Sequence, residues 1–241
     1  MLYWMRLHSL WTLLAAASLF TFLWLFFHRK KLRANPFWLL VLTVLCVAYG
    51  MFSVKAFAAV ESLSLSGFRN MSLFGAVFFM PPAFYLGAKL TKRPASLIFD
   101  VFTVPMVFTL MCARISCLFT GCCYGVEIPG THLRWPTREA ELVYYVIILA
   151  WFFYQSGKPS SAGWLYPIYM ISYGAIRFVL EFFRFSVSGR GLMHLSHFWA
   201  LLSITIGICV CLELMHKTAG PSQRHHRSNG HRNIANGNHK R

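Results

Sequence analysis

Long apolar runs dominate the chain and limit what it can fold into. The first run, Ser9–Phe27, has about the twenty residues that cross the hydrocarbon core of a bilayer, and six basic or apolar residues, His28-Arg29-Lys30-Lys31-Leu32-Arg33, follow it at once. A cleaved signal peptide has its positive charges in front of a shorter apolar core, so this pattern indicates a retained span. The further runs are Phe37–Ala59, Met71–Leu90, Ala95–Cys112, Glu139–Tyr154, Gly163–Phe183 and His194–Met215. The sequence therefore predicts an all-α, polytopic membrane protein with about seven transmembrane helices.

Composition agrees with a membrane protein and argues against a nucleic-acid partner. Hydrophobic residues make up 57% of the chain and charged residues 12%, and the mean hydropathy is +0.53. The net charge of +16 would suggest nucleic acid in a soluble protein. Beside membrane spans, however, basic residues set orientation and bind anionic lipid head groups.

The distribution of Lys and Arg predicts the orientation and the domain boundary. These residues concentrate in the first, third and fifth loops and after His216. The positive-inside rule then places the N-terminus outside and the C-terminus in the cytoplasm. Residues 1–217 are interpreted as the seven-span membrane domain. Residues 218–241 are rich in His, Asn, Gly, Ser and Arg and are expected to form a disordered basic cytoplasmic tail.

The segment Arg114–Gly125 follows the fourth apolar run and is unusually polar for that position. An arginine at this depth is unfavourable unless it faces an aqueous cavity or an anionic partner, so Arg114 is a candidate functional residue. A structural ion pair would also account for it. Its neighbours are small or hydroxylated, namely Ser116, Thr120, Gly121 and Gly125. Such residues allow the close approach and turning that a re-entrant or partly unwound segment lining a cavity needs.

Arg177 and Glu181 lie four residues apart inside the sixth apolar run, and hence on one face of a helix. One interpretation is a structural ion pair. The other is that Glu181 orients Arg177 toward a phosphate, which the guanidinium fork matches. Two membrane arginines, Arg114 and Arg177, aimed at one site in the outer leaflet would suit a phospholipid head group.

Three cysteines, Cys117, Cys122 and Cys123, stand in the segment after the fourth run. Adjacent cysteines can hardly ligate one ion or bridge each other without strain, so no metal is expected. A disulfide of Cys117 with Cys122 or Cys123 is an alternative in an oxidising compartment, and a catalytic thiol beside Arg114 is another. The cysteines in apolar runs are interpreted as small core residues: Cys46, Cys112, Cys209 and Cys211.

The segment that leads into the fifth run is typical of a helix start. Thr137 is a possible cap, and Glu139 and Glu141 stand near the positive end of the helix dipole. Three histidines are either ordinary interfacial residues or proton acceptors: His132, His194 and His197.

Three segments, Ala113–Gly125, Pro136–Glu141 and Tyr173–Arg184, resemble the prolipoprotein diacylglyceryl transferases, seven-span enzymes of the bacterial inner membrane. The family moves a diacylglyceryl group from phosphatidylglycerol to the lipobox cysteine thiol in the signal peptide of a prolipoprotein and releases glycerol phosphate. The resemblance implies the same partners, no cofactor and a multi-pass protein of the bacterial inner membrane. It implies catalytic roles for Arg114, Arg177 and Glu181. It also implies lipid-binding roles for Arg138, Glu141, Ser116, Gly121, Tyr124 and Gly125, and it matches Asp100 with a family aspartate.

The chain departs from the family pattern in ways that keep other functions open. Where the family has His-Gly-Gly at the head of the third span, this chain has Met71-Ser72-Leu73-Phe74-Gly75, so the histidine proposed to help activate the thiol is missing. Cys117, Val126 and Arg138 replace a family Asn, Arg and Gln. The chain therefore resembles a divergent branch with a Gly-Cys-Cys-Tyr-Gly motif. The alternatives are a transferase with another acceptor, a non-catalytic lipid- or lipoprotein-binding protein, and an outward-facing thiol-disulfide protein.

Overall fold

The computed structural model describes residues 2–123, 125–156, 163–184 and 195–237. Within these ranges the chain forms eight α-helices and one short 3-10 helix. The α-helices are α1 Leu2–Phe27, α2 Arg29–Leu32, α3 Pro36–Ser62, α4 Phe74–Thr91, α5 Ala95–Thr120, α6 Thr137–Ser156, α7 Leu165–Glu181 and α8 Leu195–Gly237. The 3-10 helix is Leu65–Arg69, between α3 and α4. The all-α class is thus confirmed for the described part of the chain, in which β-structure is limited to isolated bridges.

Each of the seven predicted apolar runs overlaps one of these helices, but length and hydropathy single out fewer of them as spans. The helices long and apolar enough to cross a membrane are α3, α5 and the Leu195–Lys217 part of α8. α1 contains a shorter apolar stretch, Trp11–Phe27. α6 begins with several charged side chains, and α7 has 17 residues, about 26 Å of helix. Seven spans and the orientation of the termini therefore remain predictions.

α5 corrects two expectations about the segment around Arg114. The helix was expected to end at Cys112 and to give way to a re-entrant or unwound segment, yet it continues to Thr120. The hydroxyl of Thr120 donates to the carbonyl of Ser116 at 3.0 Å, which keeps the polar side chain inside the helical turn. α5 ends only at Gly121, whose φ of 69° is the left-handed conformation common at helix ends.

α8 is helical from Leu195 to Gly237. This range includes residues 218–237 of the predicted tail. The boundary between a membrane domain and a tail at residue 217 remains a prediction.

The core lies around α5, whose middle is buried against α1, α4, α6 and α7. Asp100, near the start of α5, fixes the start of α7. Its Oδ2 accepts from the backbone N–H of Gly163 at 2.6 Å, and its Oδ1 accepts from that of Leu165 at 3.1 Å. These bonds satisfy backbone donors at the N-terminus of a helix, which otherwise have no partner. The aspartate that the resemblance singled out therefore positions α7.

α7 and α8 approach closely at two glycines. A Cβ at Gly174 of α7 would lie 2.7 Å from the carbonyl oxygen of Ala200 and from Cγ1 of Ile204, both in α8. A Cβ at Gly207 of α8 would lie 2.7 Å from Cγ1 of Ile171 in α7. Small residues at such positions let helix backbones approach, as is common between helices in membranes.

The loop between α5 and α6 is attached to the end of α7. Isolated bridges pair Gly125 with Arg184 and Glu127 with Arg134. The N–H of Val126 donates to the carbonyl of Phe183 at 2.9 Å. The end of α5, the start of α6 and the end of α7 thus meet in one place.

Candidate functional site

Four ionisable side chains from three helices meet where α5, α6 and α7 converge. Nη2 of Arg114 in α5 lies 2.8 Å from Oε1 of Glu141 in α6. Nη1 of Arg177 in α7 lies 3.6 Å from Oε2 of the same carboxylate. One turn further along α7, Oε2 of Glu181 lies 3.1 Å from Nη2 of Arg177, the contact that the four-residue spacing predicts. All four side chains are buried.

Burial of these charges is tolerable because they are paired with one another. An isolated ion in a low-dielectric interior is very unfavourable, and removal of one partner from a buried pair leaves the other uncompensated. Glu141 therefore balances charge on two arginines from different helices. The structure thus supports the ion-pair interpretation of Arg114 and Arg177, without opposing a phosphate role, since the pairs leave donors unused.

A small, partly open cavity lies beside this network. Its walls combine four arginines with one acid and three other residues: Arg114, Arg138, Arg177, Arg184, Glu141, Cys123, Thr137 and Leu180. Within the described part of the chain, the Nε–H groups of Arg114 and Arg177 are buried and donate to no hydrogen-bond acceptor. The cavity wall therefore has an excess of positive charge, and two of the arginines that line it keep unused donors, which are properties of an anion site.

Arg184 connects the network to the cysteines. Its Nη1 lies 3.8 Å from Oε2 of Glu181, and its Nη2 donates to Sγ of Cys123 at 3.1 Å. The thiols of Cys117 and Cys122 hydrogen-bond to Cys123, and together with the nearby Arg184 and Arg114 guanidiniums they lower the pKa of its thiol. These contacts favour the thiolate of Cys123 more than in a free thiol.

The three cysteine sulfurs lie within 4.8 Å of one another and form no disulfide in the structure. Cys117 is in the last turn of α5, whereas Cys122 and Cys123 follow its glycine cap. The disulfide of Cys117 with either neighbour remains a prediction.

Several other predicted site residues have structural contacts. Thr137, the expected cap, is the first residue of α6, and its hydroxyl donates to the carbonyl of Cys123 at 3.4 Å. Arg138 forms an ion pair with Glu139 at 3.1 Å and also lines the cavity. Ser116 is buried in α5. A Cβ at Gly125 would collide with the backbone oxygen of Trp135.

The two candidate histidines that the structure describes, His132 and His197, do not line the arginine cavity. His132 is exposed in the loop between α5 and α6. His197 is buried in α8, with its ring 5.2 Å from that of Phe178 and 4.5 Å from that of Phe182. His194 and Tyr124 lie outside the described residues.

Sequence reasoning missed a group of buried tyrosines next to the arginines. Tyr145, Tyr169 and Tyr173 are fully buried, and Tyr145 and Tyr173 both interact electrostatically with Arg114. The available signal was spacing, because Tyr169, Tyr173 and Arg177 recur every four residues along α7. These side chains extend the polar network into the helix bundle.

A second, larger cavity is almost entirely apolar and lies among α1, α3, α4 and α5. Ala113 and Cys112 of α5 line it, whereas the next residue, Arg114, lines the arginine cavity. Consecutive residues of one helix thus face two chemically different spaces.

Comparison with known proteins adds the following. A sequence profile described as prolipoprotein diacylglyceryl transferase matches residues 47–213, which include every residue of the arginine network. A phosphatidylglycerol–prolipoprotein diacylglyceryl transferase of Clostridium tetani is 25% identical over 154 residues, which cover 57% of this chain and 61% of that protein. The chain thus spans about three fifths of the length of the curated relative that it matches.

Proposed function

The chain belongs to the prolipoprotein diacylglyceryl transferase family, and from this premise we propose that it transfers a diacylglyceryl group from phosphatidylglycerol to the lipobox cysteine thiol of prolipoproteins. The proposed location is the bacterial inner membrane, with the protein crossing it several times. The partners are then the phospholipid donor and the signal peptide of the acceptor protein.

The observation that carries this proposal is the buried network in which Glu141 lies between Arg114 and Arg177 beside a cationic cavity. A phosphatidylglycerol head group carries one negative charge on a phosphodiester. The guanidinium fork matches phosphate oxygens, and each unused Nε–H is a donor for them. Arg114 and Arg177 are accordingly proposed to hold the phosphate of the donor.

The acids of the network are proposed to position the arginines. Glu141 holds Nη atoms of both guanidiniums, and Glu181 holds Nη2 of Arg177, so the remaining donors are fixed before the lipid arrives. Donors that are already oriented toward developing charge need no rearrangement during the reaction, which is the usual source of electrostatic catalysis.

The proposed reaction is a displacement at carbon. The acceptor thiol first loses its proton to solvent, and the sulfur then attacks the glyceryl carbon that bears the phosphate ester. The carbon–oxygen bond breaks, and its electron pair leaves with the oxygen of glycerol phosphate. Arg114 and Arg177 stabilise this added charge. A free thiol has a pKa of about 8.5, and a cationic pocket lowers it, which would supply thiolate without the missing histidine.

The two cavities beside α5 support a diacylglyceryl donor. Such a lipid has a charged head and two hydrocarbon chains, and Ala113 and Arg114 face spaces of these two kinds. We therefore propose that the donor lies along α5, with its phosphate at the arginines.

The test is transfer of labelled diacylglyceryl from phosphatidylglycerol to a lipobox peptide by the purified protein in detergent. Arg177→Ala is expected to lower the rate by about a hundredfold or more, the usual effect of removing a donor to developing charge. Arg134→Ala is the matched control, since Arg134 forms an exposed ion pair with Glu127 and does not line the cavity. Its rate should stay within about twofold of the parent.

Absence of transfer by the folded parent protein would contradict the proposal. The missing third-span histidine, replaced in the segment Met71–Gly75, favours a non-catalytic lipid-binding role as the second candidate. In that case phosphatidylglycerol should still bind, and Arg177→Ala should still weaken the binding. An acceptor other than a lipobox thiol would instead appear as release of unlabelled glycerol phosphate without labelled peptide.

A further inference from the structure

The cysteine cluster after α5 has the dimensions of a metal site. The Sγ atoms of Cys117, Cys122 and Cys123 all lie within 4.8 Å of one another. Tetrahedral zinc with Zn–S bonds of about 2.3 Å holds its sulfur ligands about 3.8 Å apart. The sulfur atoms would therefore need to approach one another by no more than about 1 Å for all three to coordinate one ion.

The backbone removes the objection that adjacent cysteines cannot share an ion. Gly121 has a φ of 69°, and Cys123 has a φ of 60°, which a non-glycine residue rarely adopts. This turn brings the neighbouring side chains Cys122 and Cys123 to the same side as Cys117. The hydroxyl of Thr137 donates to the carbonyl of Cys123 and helps to hold the unusual conformation. Such strain persists where the surroundings over-determine it and is concentrated at functional sites.

The surroundings suit a charged metal–thiolate group. Three thiolates around a divalent ion leave one net negative charge, and Arg184 donates to Sγ of Cys123 at 3.1 Å. The hydroxyl of Thr120 lies 3.4 Å from Sγ of Cys122. Hydrogen bonds to ligand atoms orient them and raise metal affinity. Thiolates select zinc and softer ions over calcium or magnesium.

The cluster is also accessible. Cys122 is exposed, whereas Cys117 and Cys123 are partly buried, so an ion can enter from the exposed side while two ligands stay shielded. The four cysteines outside this segment belong to α3, α5 and α8 and are not part of the cluster.

We propose that Cys117, Cys122 and Cys123 bind one zinc ion through their three sulfur atoms at the end of α5. Each thiol loses its proton to solvent as its sulfur coordinates the ion, so no oxidant or reductant is needed. The bound ion would fix Cys123, and through it Arg184, at the wall of the arginine cavity. The inference concerns metal binding and is independent of the proposed transfer reaction.

The test uses the full-length protein, reduced and freed of metal in detergent. Cobalt(II) serves as the probe, because thiolate ligation gives a sulfur-to-cobalt charge-transfer band that the chain's histidines do not give. We expect this band in the parent protein and its loss on addition of zinc. Cys122→Ser should weaken metal binding by more than about a hundredfold. Loss of a residue that only contacts a ligand atom usually weakens metal binding by about 10–100-fold, so the larger effect identifies Cys122 as a ligand. Cys46→Ser, in α3, is the matched control and should keep the band.

A second measurement separates loss of the site from loss of the fold. Zinc should raise the thermal midpoint of the parent protein and of Cys46→Ser but not that of Cys122→Ser. Because Cys122 is exposed, its serine variant should unfold at the midpoint of the metal-free parent. Absence of the band in the parent protein, or a full band in Cys122→Ser, would overturn the proposal. A disulfide between two of the three cysteines in protein isolated without reductant would do so as well.

Discussion

Arg114 and Glu141 form a buried ion pair between α5 and α6, with 2.8 Å between Nη2 and Oε1. The other oxygen of Glu141 faces Arg177 of α7 at 3.6 Å. One carboxylate therefore connects three helices, and Glu141 is the one carboxylate among the described side chains that line the cavity.

Glu141→Gln should destabilise the protein strongly. The amide keeps the shape of the carboxylate but leaves Arg114 and Arg177 buried without the charge between them. We expect a loss of about 3–5 kcal/mol in the free energy of unfolding, the usual effect of breaking a buried pair. The measurement is denaturant unfolding in detergent. Glu127→Gln, which breaks the exposed pair with Arg134, should cost no more than about 1 kcal/mol. Equal losses in the two variants would show that Glu141 is not the central charge.

Asp100→Asn should loosen the start of α7. Asp100 accepts hydrogen bonds from the N–H groups of Gly163 and Leu165, whereas an asparagine amide has one acceptor oxygen and turns an N–H₂ group toward the other donor. One backbone donor then loses its partner, at about 1–3 kcal/mol of unfolding free energy. Amide hydrogen exchange at Leu165 should quicken. Glu213→Gln in α8, which removes an exposed pair with Lys217, should leave that exchange rate unchanged.

Gly174→Ala should push α7 away from α8. The added methyl would lie 2.7 Å from the carbonyl oxygen of Ala200, which is backbone and can move only with α8. Overpacking of this kind costs about 1–3 kcal/mol. Because Arg177 follows Gly174 by one turn, the proposed transfer rate should fall too. Gly87→Ala in α4 is the matched control, since nothing lies within 4 Å of its Cβ position, and it should stabilise the protein by about 0.5–1 kcal/mol.

Arg177→Lys should keep the fold better than Arg177→Ala but restore little of the proposed transfer. A lysine ammonium can still face Glu181, yet it is a point charge without the planar fork that matches phosphate. We expect the thermal midpoint to stay near that of the parent protein. The transfer rate should stay at least about tenfold lower, mainly in kcat, because the donor acts on charge that develops during the reaction. Full activity with lysine would show that charge alone suffices at this position.

The sequence predicted those parts of the molecule that depend on short-range spacing. The contact between Arg177 and Glu181 follows from their separation of one helical turn, and the apolar runs each became a helix. The same four-residue spacing places Tyr169, Tyr173 and Arg177 on one face of α7, although the two tyrosines were not recognised as neighbours of the site.

Long-range contacts were beyond such reasoning. Arg114 and Glu141 are separated by a loop whose path depends on one bridge to the end of α7, so spacing alone does not pair them. The end of α5 was misplaced for a different reason. Small polar residues suggested unwinding. The hydroxyl of Thr120, however, donates to the carbonyl of Ser116 one turn earlier, so its hydrogen bond is made inside the helix. For the cysteines, the left-handed turn at Cys123 has no sequence signature, since glycine usually occupies such a position.

The shared carboxylate of Glu141 also has an evolutionary consequence. A substitution at Arg114, Glu141 or Arg177 changes the charge balance felt by the other two, so the three positions should show epistasis. A substitution at one position would be deleterious until a substitution at a second position compensates for it. Functional relatives should therefore either retain all three residues or replace them as a set. Covariation among these positions, measured across natural homologues, should therefore exceed that of residues equally buried but uncharged, such as Val104 and Phe152.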